Sequence, residues 1–121
     1  MVVVSFNIRG MGSRVKKRKL KELDGVEMVD FLAIQETKLE VVTNSVCYSL
    51  WGNNDCDWVS CPTVGNSGGI FSIWRKSIVS LVFSIVGDGF VGVCFDLFVK
   101  QIRVCVINVY SKCHLADKRR L

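Results

Sequence analysis

Histidine occurs once in the 121 residues, at His114, and none of the six cysteines forms a CxxC pair. No metal-ligand spacing is present, so a structural zinc site is not expected. The opening residues, MVVVSFN, turn polar almost at once and do not read as a signal peptide; the expectation is a chain that is not secreted. No internal repeat or low-complexity linker is visible, and the length fits one small domain. One stretch resembles a membrane span, LVFSIVGDGFVGVCFDLFV at 81–99, but Asp88 and Asp96 interrupt it. A mid-span aspartate costs roughly 2.5–3.5 kcal/mol on insertion. Gly87-Asp88-Gly89 is also strong turn chemistry between two β-rich runs. A hairpin is expected there, and no membrane partner.

What the chain has in plenty is apolar sequence. Half of it is hydrophobic and the mean hydropathy is +0.33. A small domain buries a smaller share of its surface than a large one, so this composition suggests a chain that needs more cover than it brings. Sixteen Lys and Arg against eleven Asp and Glu give +5, a balance that suits a polyanionic partner but is common in ordinary soluble proteins. The cysteines are Cys47, Cys56, Cys61, Cys94, Cys105 and Cys113. Cys94 and Cys105 lie in apolar strand-like runs, where a free thiol behaves as a small hydrophobe. Reduced thiols, and a location in the nucleus or cytoplasm, are the expectation.

Val2 to Phe6 reads as a strand buried on both faces, and Val29 to Gln35 as a second. Between them Ser13 can cap a helix over 14–24, so the two strands should run parallel across a crossover. Val42, Val46 and Leu50 recur at helical spacing, which predicts a short helix over 40–51. A brief strand is expected near Trp58 and Val59. From Gly69 onward the chain is nearly all β, over 69–75, 77–86, 90–99 and 101–110. The tail HLADKRRL looks like the start of a further helix.

Asn7 ends the first strand, Glu36 follows the second and Tyr110 ends the last. Parallel neighbours place Asn7 and Glu36 at one carboxyl edge, where open α/β sheets bind ligands. Their oxygens suit Mg²⁺, which shares phosphate oxygens with its substrate. On spacing alone the plainer account stands beside this one: Asn7 a turn residue, Glu36 a solvated strand end, Tyr110 a packed ring. A dinucleotide-binding reading of Gly10-x-Gly12 fails, because Val15 stands where a third glycine is required and the rest of the chain is β-rich. The run RVKKRKLK at 14–21 can hold phosphates, act as a nuclear import signal or form a solvated helix face.

The segments SFNIRGMGS, DFLAIQETKL, SLWGNNDCDWVSCPTVGNSGGIFSIW and INVYSKCHLADKR together resemble the amino-terminal half of an endonuclease/exonuclease/phosphatase domain. The version most similar is that of plant LINE-type retrotransposons, where it precedes a reverse transcriptase. The resemblance implies an α/β (α+β) fold: the first half of a DNase I-like four-layer sandwich, with one mixed sheet and two helices. Residues 1–121 would form a single partial domain. It also implies Mg²⁺- or Mn²⁺-dependent phosphodiester hydrolysis with DNA as partner. Glu36 matches the family's metal-binding glutamate, Asn7 the asparagine that helps position metal and phosphate, and Tyr110 the tyrosine near the scissile phosphate. Ser67-Gly68-Gly69 matches a structural SGG turn.

The departures matter as much. The family's catalytic aspartate lies in a Gly-Asp-x-Asn segment and its closing Asp-His pair comes later, and neither is found in the 121 residues. His114, within CHLADKR, is no substitute. The expectation is therefore weak metal binding and no useful hydrolysis by this chain alone, with the carboxyl-terminal half or a reverse transcriptase region as the missing partner. The alternatives are a non-catalytic nucleic-acid-binding remnant and a phosphatase of the same superfamily. A single sheet without its partner sheet would leave one face wet, and an insoluble or oligomeric chain is expected.

Overall fold

The computed structural model describes residues 1–8, 29–39, 41–61 and 69–110. The helix expected over 14–24 with its basic run, the Gly10-x-Gly12 segment, Ser67-Gly68 and the tail beyond Tyr110 lie outside these residues. Among the described residues, seven strands and one helix form: β1 (Val3–Asn7), β2 (Phe31–Gln35), α1 (Asn44–Trp51), β3 (Asp57–Cys61), β4 (Ile70–Trp74), β5 (Val79–Gly87), β6 (Phe90–Leu97) and β7 (Ile102–Val109).

β1 and β2 pair in parallel, from Val3 opposite Phe31 to Asn7 opposite Gln35, as the crossover reading requires. β2 then pairs antiparallel with β4, and β4 with β3. Helix α1 starts later than the apolar spacing suggests. Thr43 is the reason: its Oγ1 accepts from the Val46 N–H at 3.2 Å, which caps the first turn. Gly52 closes the helix at φ 102°, a left-handed cap that a residue without Cβ adopts at little cost.

A single mixed sheet is not what forms. The strands make two sheets, ordered β1-β2-β4-β3 and β5-β6-β7. After Trp74 the chain turns out of the first sheet, where Asp55 accepts from Ser77 through its backbone N–H (2.8 Å) and its hydroxyl (2.6 Å). The turn lets the later strands fold over Phe31, Ala33, Ile70 and Trp74, which pack against Val91, Val93, Phe95 and Leu97. Phe31 stacks on both Trp74 and Phe95, with ring centroids 5.8 and 5.7 Å apart. The face expected to lack a partner is thus covered by the chain's own second sheet. The opposite face of the first sheet carries α1, with Leu32, Ile34, Phe71 and Ile73 packed against Cys47, Leu50 and Trp51.

The second sheet is shifted sideways. β7 lies over β2 and β4, β6 over β4 and β3, and β5 over β3. β1 consequently keeps one face wet: Val3, Ser5 and Asn7 are exposed, so the expectation of burial on both faces is corrected. On the other side, Ser80 through Val86 of β5 are exposed in succession.

Residues 81–99 form the expected hairpin, with β5 and β6 paired up to Gly87 opposite Phe90. No helix among the described residues is long and apolar enough to cross a membrane. The thiol expectation is corrected at one place: Cys94 and Cys105 are joined in a disulfide. They are direct partners in the antiparallel β6–β7 register, with Cα atoms 4.1 Å apart, a proximity that a separation of eleven residues does not announce. A nuclear or cytoplasmic location loses the support it drew from reduced thiols. Cys47 and Cys56 are free and buried. Burial, reinforced by nearby acidic groups, pushes the Cys47 thiol up to about 12 and that of Cys56 up to about 11, which makes both unreactive packing groups.

Candidate functional site

The carboxyl ends of β1, β2 and β7 meet at one edge of the sandwich. Asn7, the last residue of β1, stands opposite Gln35, and the following Ile8 N–H donates to the Gln35 carbonyl at 3.0 Å. Glu36 comes next on β2, half-buried, with φ at +54°. Lys38 has the same left-handed φ. Such conformations cost a residue other than glycine about 1–2 kcal/mol. Between them the buried Thr37 is held by its N–H, which donates to the Gly69 carbonyl at 3.1 Å. Strain of this kind gathers where a side chain must be aimed.

Tyr110 follows β7 and its hydroxyl donates to Glu36 Oε1 at 2.9 Å. Its own N–H donates to the Gly89 carbonyl at 2.8 Å, so the hairpin turn pins the end of β7. Gly89 has φ +78°, and a Cβ there would sit 2.8 Å from the Tyr110 carbonyl oxygen, which excludes larger residues. Two of the three residues singled out by the sequence are therefore in direct contact. The third, Asn7, is exposed and shares their edge.

Three further polar residues went unassigned in the sequence. Asn108 is buried, 2% exposed, and its Nδ2 lies 3.3 Å from Ile34 O, 3.1 Å from Phe71 O and 3.3 Å from Ser72 Oγ. Its Oδ1 accepts from Gln35 Nε2 at 2.8 Å. Gln35 Nε2 also lies 3.1 Å from Ser5 Oγ and 3.1 Å from Ala33 O. The available signal was an asparagine inside the apolar run IRVCVINVY, since a buried carboxamide requires partners.

The donor chemistry at this edge fits a hard divalent cation. Glu36 and Asn7 offer carboxylate and carboxamide oxygens, with no thiol or imidazole among the residues gathered there. The bond from Tyr110 leaves acceptor capacity on the Glu36 carboxylate, which has about four lone-pair sites. The set is incomplete for a tight site, because no group of three or more His, Cys, Asp or Glu is gathered among the described residues.

No family model matches the chain, and no curated protein sequence does. Solved structures do match. The AP endonuclease LMAP of Leishmania major superposes with a TM-score of 0.66 at 18% identity, covering 97% of this chain and 43% of its own. ANGEL2, a 2′,3′-cyclic phosphatase solved with adenosine-2′,3′-vanadate, gives 0.68 at 15% identity, with 91% and 41% covered. The catalytic domain of Xenopus laevis APE2 gives 0.62 at 18% identity, with 99% and 48% covered. All three have the DNase I-like fold. The chain is thus a DNase I-like α/β sandwich fragment in its fold, and it spans less than half the length of each of these structures.

Proposed function

We propose that the chain is one partial domain, the amino-terminal half of a metal-dependent phosphodiesterase of the LINE-type endonuclease class, acting on DNA and inactive by itself. The observation that carries this reading is the Tyr110 hydroxyl on Glu36 Oε1 at 2.9 Å, at the sheet edge that Asn7 shares. The fold likeness to two AP endonucleases supports a nuclease over an unrelated α/β activity.

Glu36 and Asn7 would hold Mg²⁺ or Mn²⁺. When bound, the ion supplies Lewis-acid stabilisation of charge on a phosphoryl oxygen. Tyr110 would donate its hydroxyl toward a phosphate oxygen and, in its absence, to Glu36. Asn7 would orient the phosphate through its carboxamide. None of Asn7, Glu36 and Tyr110 is assigned the activation of water, and for that reason the chain alone is proposed to be inactive. The charge balance of +5 suits a polyanionic partner.

The likeness to ANGEL2 favours a second reading, a phosphatase on nucleotide phosphates, because the same edge would serve a terminal or cyclic phosphate. A non-catalytic nucleic-acid-binding remnant is the third.

Calorimetry with Mn²⁺, run beside a plasmid-nicking assay, tests the proposal. The expected result is weak Mn²⁺ binding that Glu36→Gln abolishes, with no nicking by the chain alone. Binding indifferent to Glu36→Gln would overturn the site. Nicking lost in Glu36→Ala would overturn the claim of inactivity.

A further inference from the structure

Ser5, Gln35 and Asn108 of the unassigned polar network each sit one or two positions before a candidate site residue. Ser5 precedes Asn7 on β1, Gln35 ends β2 immediately before Glu36, and Asn108 on β7 lies two residues before Tyr110, which follows that strand. The network therefore joins the three strands that present the site, and joins them at nearly the same level. From this juxtaposition we infer that the Asn108–Gln35 carboxamide pair is the positioning unit of the edge. It sets the separation of Tyr110 from Glu36 and aligns β1 with both; the inference rests on the site reading given above.

The geometry leaves little freedom. Asn108 meets Ile34 and Phe71, which are direct partners in the β2–β4 register, so one side chain on the second sheet grips both members of a pair in the first. Its orientation is decided by chemistry: with the amide reversed, Oδ1 would face two carbonyl oxygens and Nδ2 would face the Gln35 amide nitrogen. Gln35 Nε2 then passes the link on to Ser5 Oγ. Apart from these bonds, the Tyr110–Glu36 bond and a Cys61 Sγ to Gly87 carbonyl contact of 3.6 Å, the sheets are joined by apolar contacts, among them those of Phe31, Ala33, Ile70 and Trp74 with the residues of β6, which resist separation but tolerate sliding. Directional hydrogen bonds do not tolerate it. A shift of about 1 Å breaks a 2.9 Å bond such as that between Tyr110 and Glu36.

Asn108→Leu is the obvious variant, but it removes the added donor from two buried carbonyls and the acceptor from Gln35 Nε2 and puts folding itself at risk, so Gln35→Met carries the decision. It cuts the link to Ser5 and to Asn108 Oδ1 while keeping length and volume. The 121-residue chain is labelled with 3-fluorotyrosine, which gives two ¹⁹F signals, from Tyr48 and Tyr110. Tyr48 packs edge-on against Trp58 beside α1, 6.1 Å between centroids, and serves as the internal control. In Gln35→Met the Tyr110 signal is expected to move to its position in Glu36→Ala, where the hydrogen bond has no acceptor, while Tyr48 stays in place. Mn²⁺ broadening of the Tyr110 signal should require about tenfold more metal, the cost typical of removing a group that orients a ligand. An unmoved Tyr110 signal in Gln35→Met overturns the inference, and so does an equal movement of both tyrosines, which is the mark of general loosening. Failure of the site reading looks different: Mn²⁺ would then leave Tyr110 sharp in the unsubstituted chain, and the ¹⁹F shift alone would decide the positioning role.

Discussion

β4 and β5 read almost alike, as IFSIW and LVFSIV, apolar runs around a serine, yet they occupy opposite environments. Every residue of β4 is buried, Ser72 included, whereas β5 is exposed from Ser80 to Val86. The difference lies in the neighbours. β4 has β2 and β3 beside it, with α1 on one face and the second sheet on the other. β5 has β6 alone beside it and stands at the side toward which the second sheet is shifted. An apolar strand thus carries the capacity for burial; its place in the sheets confers it.

The largest test of this contrast is a pair of truncations followed by urea unfolding. Phe71→Ala, in a fully buried side chain, should cost about 3–5 kcal/mol, close to the whole stability of a small domain. Phe83→Ala in β5, where the ring is 48% exposed, should cost under about 1 kcal/mol. Similar losses at the two positions would break the comparison.

Next in size is the disulfide. Closing an eleven-residue separation constrains the unfolded chain by about 3 kcal/mol in the chain-entropy model. Replacing both Cys94 and Cys105 by serine should lower the urea midpoint accordingly. An unchanged midpoint would mean that the β6–β7 pairing needs no cross-link.

A third test moves stability little and association much. Ile85, Ile107 and Val109 are exposed by 54%, 67% and 60%, on the face of the second sheet turned away from the first. Apolar surface and an uncharged edge strand of this kind favour self-association. The unsubstituted chain should sediment faster as its concentration rises, and Phe83→Lys with Ile85→Lys should abolish that rise without shifting the melting midpoint. A chain that remains monomeric at every concentration would show that this face tolerates water.

The smallest effect belongs to the surface pair at the far end of the same sheet. A hydrogen bond from Arg103, 2.9 Å from Nε to Oδ1, holds the Asp96 carboxyl below the usual carboxylate range. A depressed carboxylate contributes stability above its unfolded pKa of about 3.9, and loses it as pH falls through the lowered value. Arg103→Ala should therefore be slightly less stable at neutral pH and converge with the unsubstituted chain in acid. Divergence at low pH would contradict the assignment.

The candidate site was legible where its chemistry follows a strand end. Glu36 after a buried apolar run and Tyr110 closing another are visible as polar groups at predicted boundaries, and the fold joins them at 2.9 Å. Asn108 was only partly legible: an asparagine inside an apolar run signals a carboxamide in need of partners, but it is equally an edge residue until its neighbours are known. Ser5 was hidden for the same reason.

The sequence by itself determined what depends on near neighbours along the chain: the two opening strands, the short helix, the turn at Gly87–Gly89 and the order of the strands along the chain. These follow from dihedral preferences and side-chain period, which act over a few residues. Tertiary structure alone decided that the strands divide into two sheets, that Cys94 meets Cys105, that β4 is buried and β5 is not, and that the linked carboxamides of Gln35 and Asn108 connect β1, β2 and β7. Those outcomes depend on which distant segments come to lie side by side, and apolar attraction, being non-directional, leaves that choice to the packing of the whole chain.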